Sequence, residues 1–326
     1  MIKVVAYRFS ALGDVAMTAP VFREILEQNP NLEITIVSRD SFRDIFEGIP
    51  RLNFKGVNLK KYKGLMGMRK LALEIHHEIK PDFIADLHDV IRSKMLNKIF
   101  KIKGYKVFKI NKGKEEKKLL TDVWNIEKHP IKRTTERYAD VFREMGFPVT
   151  LSDKLRPTSE AKHGIGIAPF AQHKGKVLPI EKTYELIKII AKKEKVYLFG
   201  GGKEETEILS QWEKEIPNTH SLAGKLKLKE ELQQIGELKL MISMDSANMH
   251  FASLMGTRCI SIWGQTHPYA GFLGYGQSLE DAVHIQDLTC RPCSVFGDKE
   301  CYRGDWACLH EINIQKILSK VYPQEV

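Results

Sequence analysis

Apolar and polar positions along the chain switch repeatedly between short unbroken apolar runs and helical spacing. Residues 2–7 (IKVVAY) form a β-branched apolar run, which predicts a buried strand. A loop with Gly13 and Asp14 follows, and then 15–30 (VAMTAPVFREILEQNP) has helical spacing closed by Asn29-Pro30. The rhythm continues with a strand at 33–38 (EITIVS), a helical stretch at 41–47, a strand at 82–87 (DFIADL), a basic helix from Ile91 to Phe100 and a strand at 105–109. An amphipathic helix at 133–146 ends on Gly146. Pro, Ser and charge dominate 147–162, so the domain boundary is expected near residue 158, giving domains 1–158 and 159–326. The second half repeats the pattern: strands at 164–169, 195–200, 239–243 and 259–264, with helices at 180–193, 203–215 and 246–256 between them. Strands alternating with helices imply an α/β protein with parallel sheets. Two such halves predict two Rossmann-like, doubly wound domains facing a cleft, with ligands at the carboxyl ends of the strands.

The 326 residues suffice for two ordinary domains. A composition of 43% hydrophobic and 28% charged residues excludes a disordered chain. No stretch approaches the roughly 18 apolar residues of a membrane span. The apolar run at the N-terminus is short and broken by Arg8 and Asp14, so a cytoplasmic protein is expected, with peripheral attachment to the cytoplasmic face of a membrane left open. The formal net charge of +10 points to an anionic partner or to a merely solubilising surface. It also raises a non-catalytic nucleic-acid-binding protein as a reading from another class. Basic and aromatic residues do not interleave as an RNA platform requires, so no nucleic-acid partner is expected.

Four segments carry candidate chemistry. Ser10-Ala11-Leu12-Gly13-Asp14 follows the first strand, where Asp14 reads either as a general base or as a helix cap. Asp245-Ser246-Ala247-Asn248 stands at a helix start, whose unbonded N–H groups suit a diphosphate, with His250 one turn on; plain capping is the alternative. Lys174 and Lys176, after the first strand of the second half, suit phosphate or belong to a solvated loop. Gly200-Gly201-Gly202 lacks the spacing of a dinucleotide fingerprint, and Glu205 beyond it suits a ribose hydroxyl. Arg92 and Lys94 open a basic run that extends to Lys118 and suits acidic sugars and phosphates, or solvent.

The joint order of these segments resembles the lipopolysaccharide heptosyltransferases of the family-9 glycosyltransferases. The resemblance covers nearly the whole chain. It rests on SALGDVAMTAP, DFIADLHDVIRS, APFAQHKGKVLP, LFGGGKEE, the long block from AGKLKLKEEL to SIWGQTHP, and a closing C-x-x-C…C…C. It implies a GT-B fold, an ADP-heptose donor, a lipid A–Kdo acceptor and inversion at the anomeric carbon. The first domain would take the acceptor, through Ser10, Gly13, Arg92 and Lys94, and the second the donor. Asp14 matches the family's proposed base and Lys176 the lysine of its K-x-W-P motif. Asp245, Ser246, Ala247, Asn248 and His250 match the turn around the diphosphate. Leu178 stands where the family usually has Trp, Ala171 and Gln172 where hydroxyl residues are common, and Asn248 where the residue is commonly small or apolar. An epimerase or a transferase of another nucleotide sugar is the alternative on the same fold.

No Asp-x-Asp motif is present, so no catalytic metal is expected. Cys290, Cys293, Cys301 and Cys308 lie within nineteen residues and read as structural zinc ligands, reduced packing thiols or disulfides. Because they follow the last strand, they are expected to lie away from the chemistry.

Overall fold

Each expected strand forms within one of two parallel sheets. The structure is a computed structural model and describes residues 1–324. In the first sheet, β1 (Ile2–Tyr7) pairs with β2 (Leu32–Arg39) on one side and β4 (Phe83–Asp86) on the other. β3 (Leu52–Val57) and β5 (Lys106–Lys109) form the edges, so the order is β3-β2-β1-β4-β5. The second sheet comprises β6 (Ile165–Ala168), β7 (Val196–Leu198), β8 (Thr219–Ser221), β9 (Leu240–Met244), β10 (Cys259–Ile262) and β11 (Ala282–Val283). Its order is β11-β10-β9-β6-β7-β8. In both sheets the order reverses beside the first strand, at β1/β4 and at β6/β9. That reversal opens a crevice at the carboxyl ends of the two strands, the place where doubly wound sheets bind ligands.

The helices of the first half are α1 (Leu12–Ala16), α2 (Thr18–Gln28), α3 (Gly64–Ile79), α4 (Ile91–Ile102), α5 (Lys114–Leu120) and α6 (Thr134–Arg143). Those of the second are α7 (Ile180–Ala191), α8 (Lys203–Glu215), α9 (Leu228–Gly236), α10 (Ala247–Leu254), α11 (Ala307–His310) and α12 (Ile314–Val321). The stretch expected to be helical at 41–47 is a 3-10 helix, Asp40–Phe46. One core gathers Val5, Tyr7 and Ile84 of the first sheet with Leu71 and Ile75 of α3 and Leu96 and Phe100 of α4. Another gathers Ile167, Leu198 and Ile242 of the second sheet with Ile187 and Ile190 of α7. No helix among the described residues is long and apolar enough to cross a membrane.

The chain divides into two compact units, though not at the single cut expected after residue 158. One unit holds 1–112 and 134–152, and the other holds 113–133 and 153–326. Bonding explains the exchange. Ser152 donates to the Glu24 carboxylate and Thr150 to Gln28, which holds this stretch to α2. Asp153 instead accepts from the Gly276 N–H at 2.9 Å, and Arg133 donates to the carbonyl of Gly274 at 2.9 Å. The Ile131 N–H bonds the Tyr269 carbonyl, and Lys117 lies over the Phe272 ring. Pattern alone could not expose an excursion held by such scattered contacts.

Candidate active site

In the first unit the crevice at β1/β4 holds a buried charged network. β1 runs on into Arg8, whose guanidinium is sequestered and bonds Asp14 Oδ2 at 2.7 Å and the Leu87 carbonyl at 2.5 Å. Its guanidinium also lies 5.5 Å from the centre of the Tyr138 ring. Burial opposes the charge on Arg8, but Tyr138, Asp14 and Asp86 outweigh it, and its pKa is raised. Asp14 is the third residue of α1, and the same oxygen accepts from the Ala11 N–H at 3.3 Å. Asp14 therefore closes the helix start and pairs with Arg8 at once. Gly13 lies inside α1 in helical conformation, where its carbonyl accepts from the Met17 N–H, rather than in an open turn.

The other lip of this crevice is the turn after β4. Asp86 accepts from the N–H groups of His88 and Asp89 and from the Asn97 side chain, at 2.7 to 2.9 Å. It thereby fixes His88, whose Nε2 lies 3.3 Å from Ser10 Oγ and whose Nδ1 faces the Phe9 N–H at 3.4 Å. Burial and then the charges of Arg8 and Lys112 push His88 down to about 3, so it is a neutral imidazole at physiological pH. Lys112, half-buried, donates to the Asp89 carbonyl, and its pKa is lowered by burial and by Arg8. Sequence reasoning missed Arg8, Asp86 and His88, and it had Lys112 only as one member of the basic run from Lys94 to Lys118. Only their places just beyond β1, in β4 and the turn after it, and beyond β5 could have signalled them.

Arg92 does not join this network. It lines a separate hollow of about 530 Å³ with Arg39, Asp40, Lys60 and Lys63. Lys94 is exposed and pairs loosely with Asp89 at 3.7 Å.

In the second unit the crevice at β6/β9 brings Lys176 and Asp245 together. Lys176 ends the 3-10 turn Lys174–Lys176 beyond β6, and Asp245 directly follows β9. Their side chains, 15% and 6% exposed, meet at 2.9 Å. The Asp245 carboxylate is thus turned toward Lys176, and the start of α10 receives no side-chain cap from Ser246. Ser246 Oγ instead contacts Ser243 Oγ at 3.2 Å. The capping alternative therefore fails here, and the N–H groups at the start of α10 point out of the helix uncapped by a side chain. Ala247 and Asn248 occupy its first two positions, and His250 is buried one turn on. Glu205 reaches back from α8 to accept from the Gly201 N–H at 2.8 Å, bracing the glycine turn.

The cysteine segment is not remote from these residues, contrary to expectation. The Gly175 N–H bonds the Gly297 carbonyl, and the Gln265 side chain donates to the Lys299 carbonyl at 2.8 Å. A Cβ at Gly175 would lie 2.1 Å from Gln265 Oε1, and one at Gly297 would lie 2.6 Å from the Lys176 stem. Arg291, buried between the cysteines, donates to the carbonyls of Gly264 and Thr266 in the turn beyond β10 and of Ile285 beyond β11, and so ties this segment to both. All five cysteines are free thiols, and burial raises Cys293 and pushes Cys308 up to about 12. Among the described residues no three or more His, Cys, Asp or Glu side chains are placed to hold a metal ion. The segment runs in loops and tight turns as far as α11.

Residues 77–301, more than half of the chain, match the model of glycosyltransferase family 9 (heptosyltransferase). The chain belongs to this family. Over 320 residues it is 23% identical to lipooligosaccharide heptosyltransferase 2 of Campylobacter jejuni, covering 95% of each. In structure, the family-9 glycosyl transferase of Veillonella parvula superposes with a TM-score of 0.73 at 18% identity, covering 99% of this chain and 96% of that one. The Escherichia coli heptosyltransferase WaaC, solved with ADP-2-deoxy-2-fluoro heptose, superposes with a TM-score of 0.69 at 16% identity, covering 98% and 100%. The fold of this family-9 glycosyltransferase is accordingly GT-B, as the sequence led one to expect. Family membership makes the chain a glycosyltransferase of the heptosyltransferase type and sets aside the nucleic-acid-binding alternative.

Proposed function

We propose that the protein transfers a heptose from ADP-heptose to the lipid A–Kdo inner core of lipopolysaccharide, with inversion, at the cytoplasmic face of the inner membrane. One observation carries the residue-level reading: each sheet's crevice holds an ion pair with one partner buried and the other half-buried, and the two pairs differ in chemistry. Arg8–Asp14 presents a carboxylate held by a cation, and Lys176–Asp245 presents an ammonium held by a carboxylate beside a helix start. The first suits proton removal and the second suits a diphosphate.

In this reading the first unit takes the acceptor. Asp14 accepts the proton of the acceptor hydroxyl as that oxygen bonds to the anomeric carbon. The bond from that carbon to the diphosphate breaks on the opposite face, and its electron pair departs with ADP. Negative charge builds on the leaving group. Lys176 and the N–H groups at the start of α10 stabilise it without reorganising. An ammonium has three donors, of which Asp245 engages one, so the others remain to address phosphate oxygens. With these cations in the role a divalent ion fills elsewhere, the reaction needs no metal. Ser10, Arg92 and Lys94 are assigned to the acceptor, and Glu205, Asn248 and His250 to the donor.

The Escherichia coli WaaC structure, solved with ADP-2-deoxy-2-fluoro heptose, supports ADP as the nucleotide. Measuring nucleotide release tests the proposal. Acceptor-dependent release of ADP from ADP-heptose is the expected result. Release from a UDP- or GDP-sugar but not from ADP-heptose would refute it in favour of another nucleotide-sugar enzyme.

A further inference from the structure

Two stretches of the first unit carry cations without acids. No Asp or Glu lies between Glu47 and Glu74, a span with Lys60, Lys61, Lys63, Arg69 and Lys70, nor between Asp89 and Glu115, which spans α4. α3 and α4 bury Leu71, Ile75, Leu96 and Phe100 in the same core. Each follows the carboxyl end of a strand, α3 after β3 and α4 after β4, so both begin at the same edge of the sheet. The hollow lined by Arg39, Lys60, Lys63 and Arg92 reaches from the loop before α3 to the first turn of α4, and its one acid, Asp40, pairs with Arg43.

At that edge the apolar residues are turned outward. Leu65 and Met66, in the first turn of α3, are 60% and 72% exposed, and Ile91, the first residue of α4, is 74% exposed. Single exposed apolar side chains are ordinary. Three of them in the first turns of two helices that pack on each other, within stretches whose only charged side chains are lysines and arginines, are not. The acids further along α3 are occupied: Glu74 accepts from Tyr62 and Glu78 pairs with Lys55.

We propose that the starts of α3 and α4 form a docking surface for an anionic lipid bilayer, with Leu65, Met66 and Ile91 entering the headgroup region and the flanking lysines and arginines meeting lipid phosphates. Apolar residues within a cationic field are the combination that holds a peripheral protein on such a membrane. A protein partner of matching shape would need acids for the same cations, and a bilayer supplies them with no fixed geometry. The inference rests on the glycolipid acceptor reading, because an enzyme that works on a membrane-anchored substrate benefits from lying on the membrane. The hollow between the two helix starts would then open toward the lipid.

Sedimentation of the full-length protein with vesicles tests this directly. The protein is expected to pellet with vesicles of phosphatidylethanolamine and phosphatidylglycerol, to be released by high salt, and to stay in solution with phosphatidylcholine vesicles. The Leu65→Ser/Met66→Ser variant is expected to lower the partition at least about tenfold, since each exposed side chain adds roughly that factor when buried. Lys61→Glu/Lys70→Glu is expected to lower it as well, and it carries the test should the first pair lower the melting temperature. Wild-type binding no stronger to the anionic vesicles than to phosphatidylcholine, variants that bind as well as wild type, or pelleting without vesicles would overturn the proposal. Transfer from ADP-heptose to a deacylated, water-soluble acceptor is the separate readout. Vesicle binding without any transfer would keep this surface and remove the proposed activity, while transfer without vesicle binding would do the reverse.

Discussion

Arg8 is the residue that turns Asp14 from a helix-terminating acid into a positioned one. Its fork engages Asp14 and the Leu87 carbonyl together, so the carboxylate is tied to both lips of the crevice at β1/β4. A lysine would keep the charge but lose the fork. Arg8→Lys is therefore expected to lower kcat about tenfold or more while leaving the affinity for ADP unchanged, an effect of misplacement. Steady-state kinetics beside calorimetry with ADP checks it, and an unchanged kcat would remove Arg8 from the account. Lys176 gives the complementary case. Lys176→Ala removes the ammonium and leaves Asp245 buried without it, so ADP binding is expected to weaken at least about tenfold, since pairs of this kind are costly to break. Equal ADP affinities for the two proteins would place the diphosphate elsewhere. The segment around Asp14 stood out in the sequence because small and polar residues directly follow a buried strand, although Gly13 and Asp14 lie in α1 and not in a turn. Arg8 was not, because an arginine one residue beyond a strand looks like any surface charge until Tyr138, 130 positions away, is seen to close over it.

Among the elements, the expected strands all form, and several of the elements not expected have physical reasons. β3 (LNFKGV) is an edge strand whose Lys55 and Gly56 break the apolar run. β8 is three residues long. α3 opens with Gly64 and Gly67, which lower helix propensity where a start signal is sought. α9 is short and lies inside a block read as motif. The loop from Ser294 to Lys299 matters more than any of these, because it clasps the turn that carries Lys176. Gly297 has a φ of +75° and no room for a side chain against the lysine stem. Gly297→Ala is therefore expected to shift that turn and reduce ADP affinity, with the transfer rate at saturating donor less affected. Titration of both proteins with ADP measures it, and identical affinities would show that the loop does not hold the lysine.

For the whole molecule, buried histidines set the response to acid. His88 and His267 are pushed down to about 3 and His284 to about 4, each by burial first and by neighbouring cations next. In the unfolded chain the same groups take up protons near pH 6.5. The unfolded state therefore binds more protons between pH 6.5 and about 4, and stability falls as the pH falls through that window. The melting temperature is expected to drop by several degrees, on the order of what a loss of 1–2 kcal/mol does to a protein of this size, between pH 7 and pH 5. A melting temperature that is flat across this range would contradict the assignment of neutral, buried imidazoles. Chelation should have no such effect on catalysis: transfer is expected to survive EDTA over minutes, and rapid loss restored by magnesium or zinc would overturn the metal-independent mechanism. The central claim is the division of labour between the two crevices, and the Asp14→Ala protein tests it most directly, by its transfer rate measured beside its affinity for ADP. The account predicts a kcat lower by about 10²–10⁴-fold, the usual loss for a general base, with ADP bound as tightly as by the wild type. A variant that keeps more than about a tenth of the wild-type kcat, a loss too small for a general base, or one that no longer binds ADP, would contradict it.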